Sequence, residues 1–269
     1  MKNRTSDELL KFRDRNRTVD IPPDKLVVMD KATADLVASG LSKGALKAGD
    51  RMPDFILNDA HGAPVRLKDL LELGPVVISF YRGGWCPYCN IELRGLERAL
   101  PQIKKLGASL VAISPELPDR SLSTEEKNQL TFPVLSDTGN KVARSFGIAF
   151  RLPDDLLAAY KGFHHALDEI NGAEGAEELP IPATFVVDRT GIVRLAFVVE
   201  DYYQRLDPDV VIESLAPCNT CSRIVVRSGG IGESVPERSI QRRHLPLIIA
   251  CRYATASSSS ITGTHSRSL

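Results

Sequence analysis

Apolar residues run almost unbroken through Pro75-Val76-Val77-Ile78-Ser79-Phe80-Tyr81, and this β-branched, aromatic stretch predicts a strand covered on both faces. Beyond a short turn, Ile91, Leu93, Leu96, Leu100, Ile103 and Leu106 recur at spacings of two, three and four, predicting a helix packed on a sheet. Ser109–Ser114 reads as the next strand, so the three elements form a right-handed βαβ unit. Downstream, the pattern predicts helices over Ser123–Leu130, Asn140–Phe146 and Asp154–Ala166, with a short strand at Pro133–Ser136 and a polar loop over Gly172–Glu178. Asp188-Arg189-Thr190-Gly191 then turns a hairpin between Thr184–Val187 and Ile192–Val198, and Pro208–Leu215 forms a last helix.

The flanks differ from this core. Residues 1–47 read as a helical extension, broken at Thr18–Pro23 and resuming over Asp24–Leu41 with Leu26, Val27, Ala32, Ala34, Leu36, Val37 and Leu41 in an amphipathic pattern. That face is suited to packing on the domain or on a partner subunit, which leaves a homodimer open. From Ala216 onward Gly, Ser, Thr and Arg dominate, and residues 216–269 are expected to be a flexible, disordered tail. Residues 48–215 therefore hold the α/β domain.

Charge narrows the partners. The 34 basic residues balance the 34 acidic ones, which argues against nucleic acid or an anionic membrane as the main partner. No apolar run approaches the roughly 18 residues that a membrane span needs, and Met1–Asp20 lacks a signal-peptide core. A cytoplasmic location with reduced thiols is the expectation.

The candidate chemistry sits in Tyr81-Arg82-Gly83-Gly84-Trp85-Cys86-Pro87-Tyr88-Cys89-Asn90, at the strand-to-helix turn. A thiolate is the reactive form of cysteine, and unpaired N–H groups and the positive end of a helix dipole favour it at Cys86, with Arg82 adding charge. Cys86 is thus the expected nucleophile. Cys89 lies one turn on along the same helix face, within disulfide reach, and is the resolving partner. Pro87 suits a first helical position, where its missing N–H would have been unused. A second pair, Cys218 and Cys221, lies too far along the chain for the usual zinc-module spacing, and no zinc or other metal is expected. These two read as incidental thiols of the tail, the alternative being a second redox pair that passes electrons to the first; Cys251 is a further thiol of the tail with no role assigned. His164 and His165 are adjacent on a helix and so point apart, a poor arrangement for shared ligation. The loop carrying Glu174, Glu177 and Glu178 reads as a solvated face. Glu92 and Arg94 are placed to influence proton traffic at Cys89.

Trp85-Cys86-Pro87-Tyr88-Cys89 resembles the active sites of thioredoxins and glutaredoxins, and the wider chain resembles the AhpC/TSA peroxiredoxin-like branch of the thioredoxin fold. Ala48–Phe55 with Leu57, His61-Gly62 and Val65-Arg66-Leu67 is similar to the opening of that family. Pro101 matches its mid-helix proline. Ile181-Pro182-Ala183-Thr184-Phe185-Val186-Val187-Asp188 resembles the segment holding the fold's cis-proline. The resemblance implies a thioredoxin-like fold, a central mixed β-sheet flanked by helices. It also implies a substrate-side surface of Arg82, Gly83, Trp85, Ile181 and Pro182, with the Ile181 backbone open for strand pairing beside the nucleophile. Three family features are missing, the first being the proline seven residues before the nucleophile, where Ser79 stands. The peroxide-binding hydroxyl three residues before the nucleophile is replaced by Gly83, and the late arginine by Pro182.

The implied function is a thiol peroxidase, without cofactor, reducing hydrogen peroxide or organic hydroperoxides through a Cys86 sulfenic acid and a Cys86–Cys89 disulfide, recycled by thioredoxin or by glutaredoxin and glutathione. Arg82 or backbone N–H groups would polarise the O–O bond in place of the missing hydroxyl. The alternatives are a thiol-disulfide oxidoreductase, which the two-cysteine motif favours, and a non-enzymatic zinc-binding or redox-sensing module.

Overall fold

The computed structural model describes residues 5–174 and 176–216. Its N-terminal part is helical: α1 (Thr5–Arg15) leads through a π-helical turn at Asn16–Asp20 into α2 (Pro23–Ser39). An antiparallel hairpin of β1 (Ile56–Asp59) and β2 (Pro64–Arg66) opens the sheet, followed by α3 (Leu67–Leu73) and β3 (Val76–Phe80). Next come α4 (Pro87–Lys105), β4 (Ser109–Ser114), α5 (Pro118–Asn128), β5 (Val134–Ser136), α6 (Lys141–Ser145) and β6 (Ala149–Arg151). The rest is α7 (Asp154–Gly162), α8 (Leu167–Asn171), β7 (Glu178–Pro180), β8 (Ala183–Val187), β9 (Val193–Val198) and α9 (Pro208–Leu215).

Among the described residues, seven strands form one mixed sheet in the order β2-β1-β5-β4-β3-β8-β9, and β6 pairs with β7 as a separate ribbon. β3 lies parallel to β4, in the register Val76 opposite Ser109, and antiparallel to β8. The alternation along β3 explains why all five of its residues are apolar or small: Val77 enters the core beneath α4, while Val76, Ile78 and Phe80 enter the core on the opposite face with Phe146 and Phe185. This is the thioredoxin-like arrangement.

Helix α4 carries the site and is anchored by its apolar face. Leu93, Leu96, Leu100 and Ile103 are buried against the sheet, each contributing roughly 1.5–3 kcal/mol of burial. Leu93→Ala is expected to lower unfolding free energy by about 2–5 kcal/mol, read from the urea midpoint at unchanged slope. The helix runs on through Pro101, which is exposed. α1 packs on α4 with Leu9 buried and Phe12 edge-on to Tyr88 at 5.2 Å, so the N-terminal helices cover the domain.

Three expectations shift. The helix expected over Ser123–Leu130 begins earlier, at Pro118, whose fixed φ suits a first turn. The one expected over Asp154–Ala166 splits in two: His164 adopts φ +62°, and His165 N–H turns back to Tyr160 O at 2.9 Å, a left-handed C-terminal stop. The peptide before Pro182 is trans. Ile181 continues the β6–β7 ribbon, its N–H donating to Ile148 O at 2.7 Å, so its backbone donor is already used. Cys218, Cys221, Cys251 and all but the first residue of the expected tail lie outside the described residues.

Candidate active site

Cys86 caps α4, with extended backbone angles, Pro87 in the first turn, and its carbonyl accepting from Asn90 N–H at 3.1 Å. The loop before it is pinned from three sides. Gly84 N–H donates to Glu116 Oε1 at 2.9 Å, Asn90 Nδ2 donates to Gly84 O at 2.8 Å, and Asn128 Nδ2 donates to Asn90 Oδ1 at 2.8 Å. Glu116, just past β4, also accepts from Thr124 Oγ1 at 3.2 Å, and its burial raises its pKa. No side chain fits at Gly84, where a Cβ would lie 2.0 Å from Thr124 Oγ1.

Both cysteines are free thiols and nearly inaccessible, Cys86 at 1% and Cys89 at 0% exposure. Burial pushes the Cys86 thiol up, but a hydrogen bond from Cys89 and the nearby positive charges of Arg82 and Arg205 outweigh it, and Cys86 ends below the ordinary thiol range. Cys89 moves the other way, raised by burial and by the proton it lends to Cys86. The surroundings thus favour ionisation at Cys86 and protonation at Cys89.

Arg82 is buried and enclosed by aromatic rings. Its guanidinium carbon lies 4.5 Å from the Tyr202 ring centroid, 4.8 Å from Trp85 and 5.3 Å from Tyr160, and its Nη2 donates to the Tyr160 hydroxyl. Its backbone N–H faces Cys89 Sγ at 3.5 Å. Such a cage keeps a cation charged away from water. Arg82 Nε and the Tyr202 hydroxyl have no protein partner. A cavity of about 20 Å³, space for a water-sized molecule, lies against Arg82, Tyr160, Pro182 and Tyr202, roofed by Met29, Thr33 and Leu36 of α2.

Arg205 comes from the loop between β9 and α9. It is buried, its Nε donating to Glu92 Oε2 at 2.7 Å and its Nη2 to Cys89 Sγ at 3.5 Å. Burial pushes Glu92 up to about 7 against the pull of Arg205. Tyr88 packs edge-on against Tyr203 at 5.0 Å and Tyr202 at 5.8 Å, closing the helix start.

Of the residues singled out from sequence, the structure brings Arg82, Trp85, Cys86 and Cys89 together, with Pro182 on the cavity wall. Gly83 adopts φ +150° and faces the Trp85 ring. Ile181 is buried and hydrogen-bonded away. Glu92 lies in the site; Arg94 instead reaches Asn128 at 3.0 Å and Glu8 at 3.6 Å. His165 packs on Trp85 with centroids 5.2 Å apart, a ring contact that supports the loop. Tyr160, Tyr202, Arg205 and Glu116 were not singled out. Tyr160 comes from α7, Glu116 from the turn after β4, and Tyr202 and Arg205 from the loop between β9 and α9, where only the tyrosine pair preceding Arg205 gives a signal in sequence. Among the described residues, no group of three or more His, Cys, Asp or Glu comes together as a metal site, and no helix is long and apolar enough to cross a membrane.

A mixed sheet of this order, flanked by helices, with two buried thiols at the start of the helix after β3, defines a protein of thioredoxin-like fold. The chain belongs to the AhpC/TSA family, whose model matches residues 48–196. It is similar to the chloroplastic peroxiredoxin Q of Sedum lineare, 30% identical over 149 residues that cover 55% of this chain and 67% of that one. It is also similar to the thiol-disulfide oxidoreductase ResA of Bacillus thuringiensis, 28% identical over 135 residues, 50% of this chain and 75% of that one. Among solved structures, the peroxidoxin BcpB of Mycobacterium tuberculosis aligns with a TM-score of 0.50 at 26% identity, covering 63% of this chain and 96% of that one. The chain spans about two thirds of the length of the peroxiredoxins it matches.

Proposed function

We propose that the protein is a thiol peroxidase in which Cys86 is the peroxidatic cysteine and Cys89 the resolving one. The Cys86 thiolate attacks one peroxide oxygen, the O–O bond breaks, and the released oxygen leaves as water or alcohol after taking a proton. Cys86 is then a sulfenic acid. Cys89 attacks that sulfur, the S–O bond breaks, water leaves, and the Cys86–Cys89 disulfide remains. A dithiol such as thioredoxin or glutaredoxin, or glutathione, restores both thiols. Arg82 takes the role of the missing family hydroxyl and arginine: its caged charge holds the thiolate and polarises the breaking O–O bond.

The observation that carries this reading is the burial of Cys86, 1% exposed, with the neighbouring Arg82 beside a small cavity roofed by α2. A peroxide is small enough to reach such a sulfur through modest side-chain movement. A protein disulfide must instead lay an extended strand beside it, and the Ile181 N–H that would pair with that strand is taken by Ile148. The thiol-disulfide oxidoreductase remains the second reading, favoured by the Cys-Pro-Tyr-Cys motif and the similarity to ResA.

Stopped-flow mixing of reduced protein with hydrogen peroxide, with dimedone trapping on Cys89→Ser, separates the two. The expected result is oxidation of Cys86 at least a hundredfold faster than free cysteine, with a trapped sulfenic acid. Reaction no faster than free cysteine, together with rapid insulin disulfide reduction, assigns the protein to the oxidoreductases.

A further inference from the structure

We propose that Arg205 is a catalytic residue for the second thiol: its guanidinium holds Cys89 as a thiolate while the Cys86–Cys89 disulfide forms and opens, and Glu92 is the positioning residue that aims it. This deepens the dithiol reading above and rests on it. Arg205 Nη2 lies 3.5 Å from Cys89 Sγ, and Arg205 Nε lies 2.7 Å from Glu92 Oε2, with both side chains nearly inaccessible. A buried arginine in contact with a sulfur is costly to hold unless its charge is matched. Glu92 matches it, and further bonds to the carbonyls of Tyr202 and Gln204 fix the fork.

The chemistry needs such a group. The resolving sulfur is fully buried, and burial with the proton lent to Cys86 holds it as a thiol. For the disulfide to form, Cys89 must lose its proton, its lone pair must form the S–S bond, and the S–O bond of the sulfenic acid must break, the proton and hydroxide leaving as water. When an external dithiol opens the disulfide, its thiolate attacks Cys86 and the S–S electron pair departs on Cys89. In both directions negative charge gathers on the sulfur that Arg205 touches. The groups facing Cys89 are Cys86 and Glu92 on its own helix, Tyr81 and Arg82 after β3, Glu116 after β4, and Arg205. Arg82 sits in its aromatic cage and also serves Cys86, which leaves Arg205 as the cation whose side chain bonds to Cys89.

The test uses the full chain with Cys86, Cys218, Cys221 and Cys251 each replaced by Ser, so that Cys89 is the sole thiol, followed by thiolate ultraviolet absorbance against pH. Arg205→Met is expected to raise the Cys89 midpoint by about one to three units. Glu92→Gln keeps an acceptor for Arg205 Nε but removes the carboxylate that opposes Cys89 ionisation, and is expected to lower the midpoint by about one unit. Opposite signs are the signature, since a merely structural pair would move both variants the same way. Where Arg205→Met alone does not fold, Glu92→Met/Arg205→Leu replaces the buried pair by apolar volume, and its Cys89 midpoint should lie above that of Glu92→Gln, which keeps the Arg205 charge; an equal or lower midpoint overturns the proposal. Shifts of the same sign, or none, overturn the proposal. The titration contains neither peroxide nor disulfide, so its outcome is independent of the peroxidase result. With Cys86 restored, Arg205→Met should lengthen the lifetime of the sulfenic acid at least tenfold; an unchanged lifetime overturns the catalytic role.

Discussion

Replacing Arg82 by methionine is expected to lower the rate constant of Cys86 with hydrogen peroxide at pH 7 by about two- to tenfold, because losing an adjacent opposite charge raises the Cys86 ionisation, about 6 with Arg82 in place, by about one to two units. Only the thiolate reacts, so the rate rises with pH through the Cys86 ionisation and then levels. With Arg82 in place, that plateau is expected at a lower pH than for free cysteine, whose thiol titrates near 8.5, roughly. In Arg82→Met the rising limb moves to higher pH, and the loss shrinks as pH increases. A loss from misfolding would instead persist at every pH. Arg82→Lys keeps the cation but not the planar stacking on Trp85, Tyr160 and Tyr202, and is expected to recover part of the rate. The check is a set of stopped-flow rate constants against pH for the three proteins.

Gly83→Thr, which would put a hydroxyl back at the family's peroxide-binding position, is expected to reduce activity and destabilise the fold by about 2–4 kcal/mol. The reason is geometric. Gly83 adopts φ +150°, a conformation that a β-branched residue cannot hold without strain, and a Cβ there would lie 2.3 Å from Trp85 Nε1. The glycine is thus coupled to the tryptophan: Trp85 fills the space where the hydroxyl would stand, and stacks on Arg82 and His165. Thermal unfolding and peroxide kinetics together check this. A Gly83→Thr protein of unchanged stability and higher activity would contradict it.

Much of the architecture was readable because it rests on local periodicity. The buried run Val76–Phe80, the amphipathic helix after it, and the parallel strand Ser109–Ser114 are each written in a window of a few residues, and burial on a two-sided sheet leaves few other ways to satisfy them. The elements that went astray are those set by non-local partners. The β6–β7 ribbon joins Ala149–Arg151 to Glu178–Pro180 across an intervening pair of helices, and it is this pairing that holds Ile181 extended with a trans bond to Pro182. The end of α7 turned on one histidine in a left-handed conformation, where glycine or asparagine would have given a clearer signal.

The sequence by itself determined where the two thiols stand: on one face at the start of a helix that follows a buried strand, with Pro87 shaping the first turn and Arg82 near at hand. Those are consequences of spacing within ten residues. Spacing also marks Cys86 as the thiol to ionise, but only the tertiary structure supplies the distant groups that favour the charge there and the proton on Cys89. The division between Cys86 and Cys89 depends on burial, on Arg205 arriving from more than a hundred residues downstream, on the rings of Tyr160 and Tyr202 around Arg82, and on Glu92 paired across the helix. Electrostatic energy depends on distance and on the exclusion of water, and both are set by how distant segments pack together.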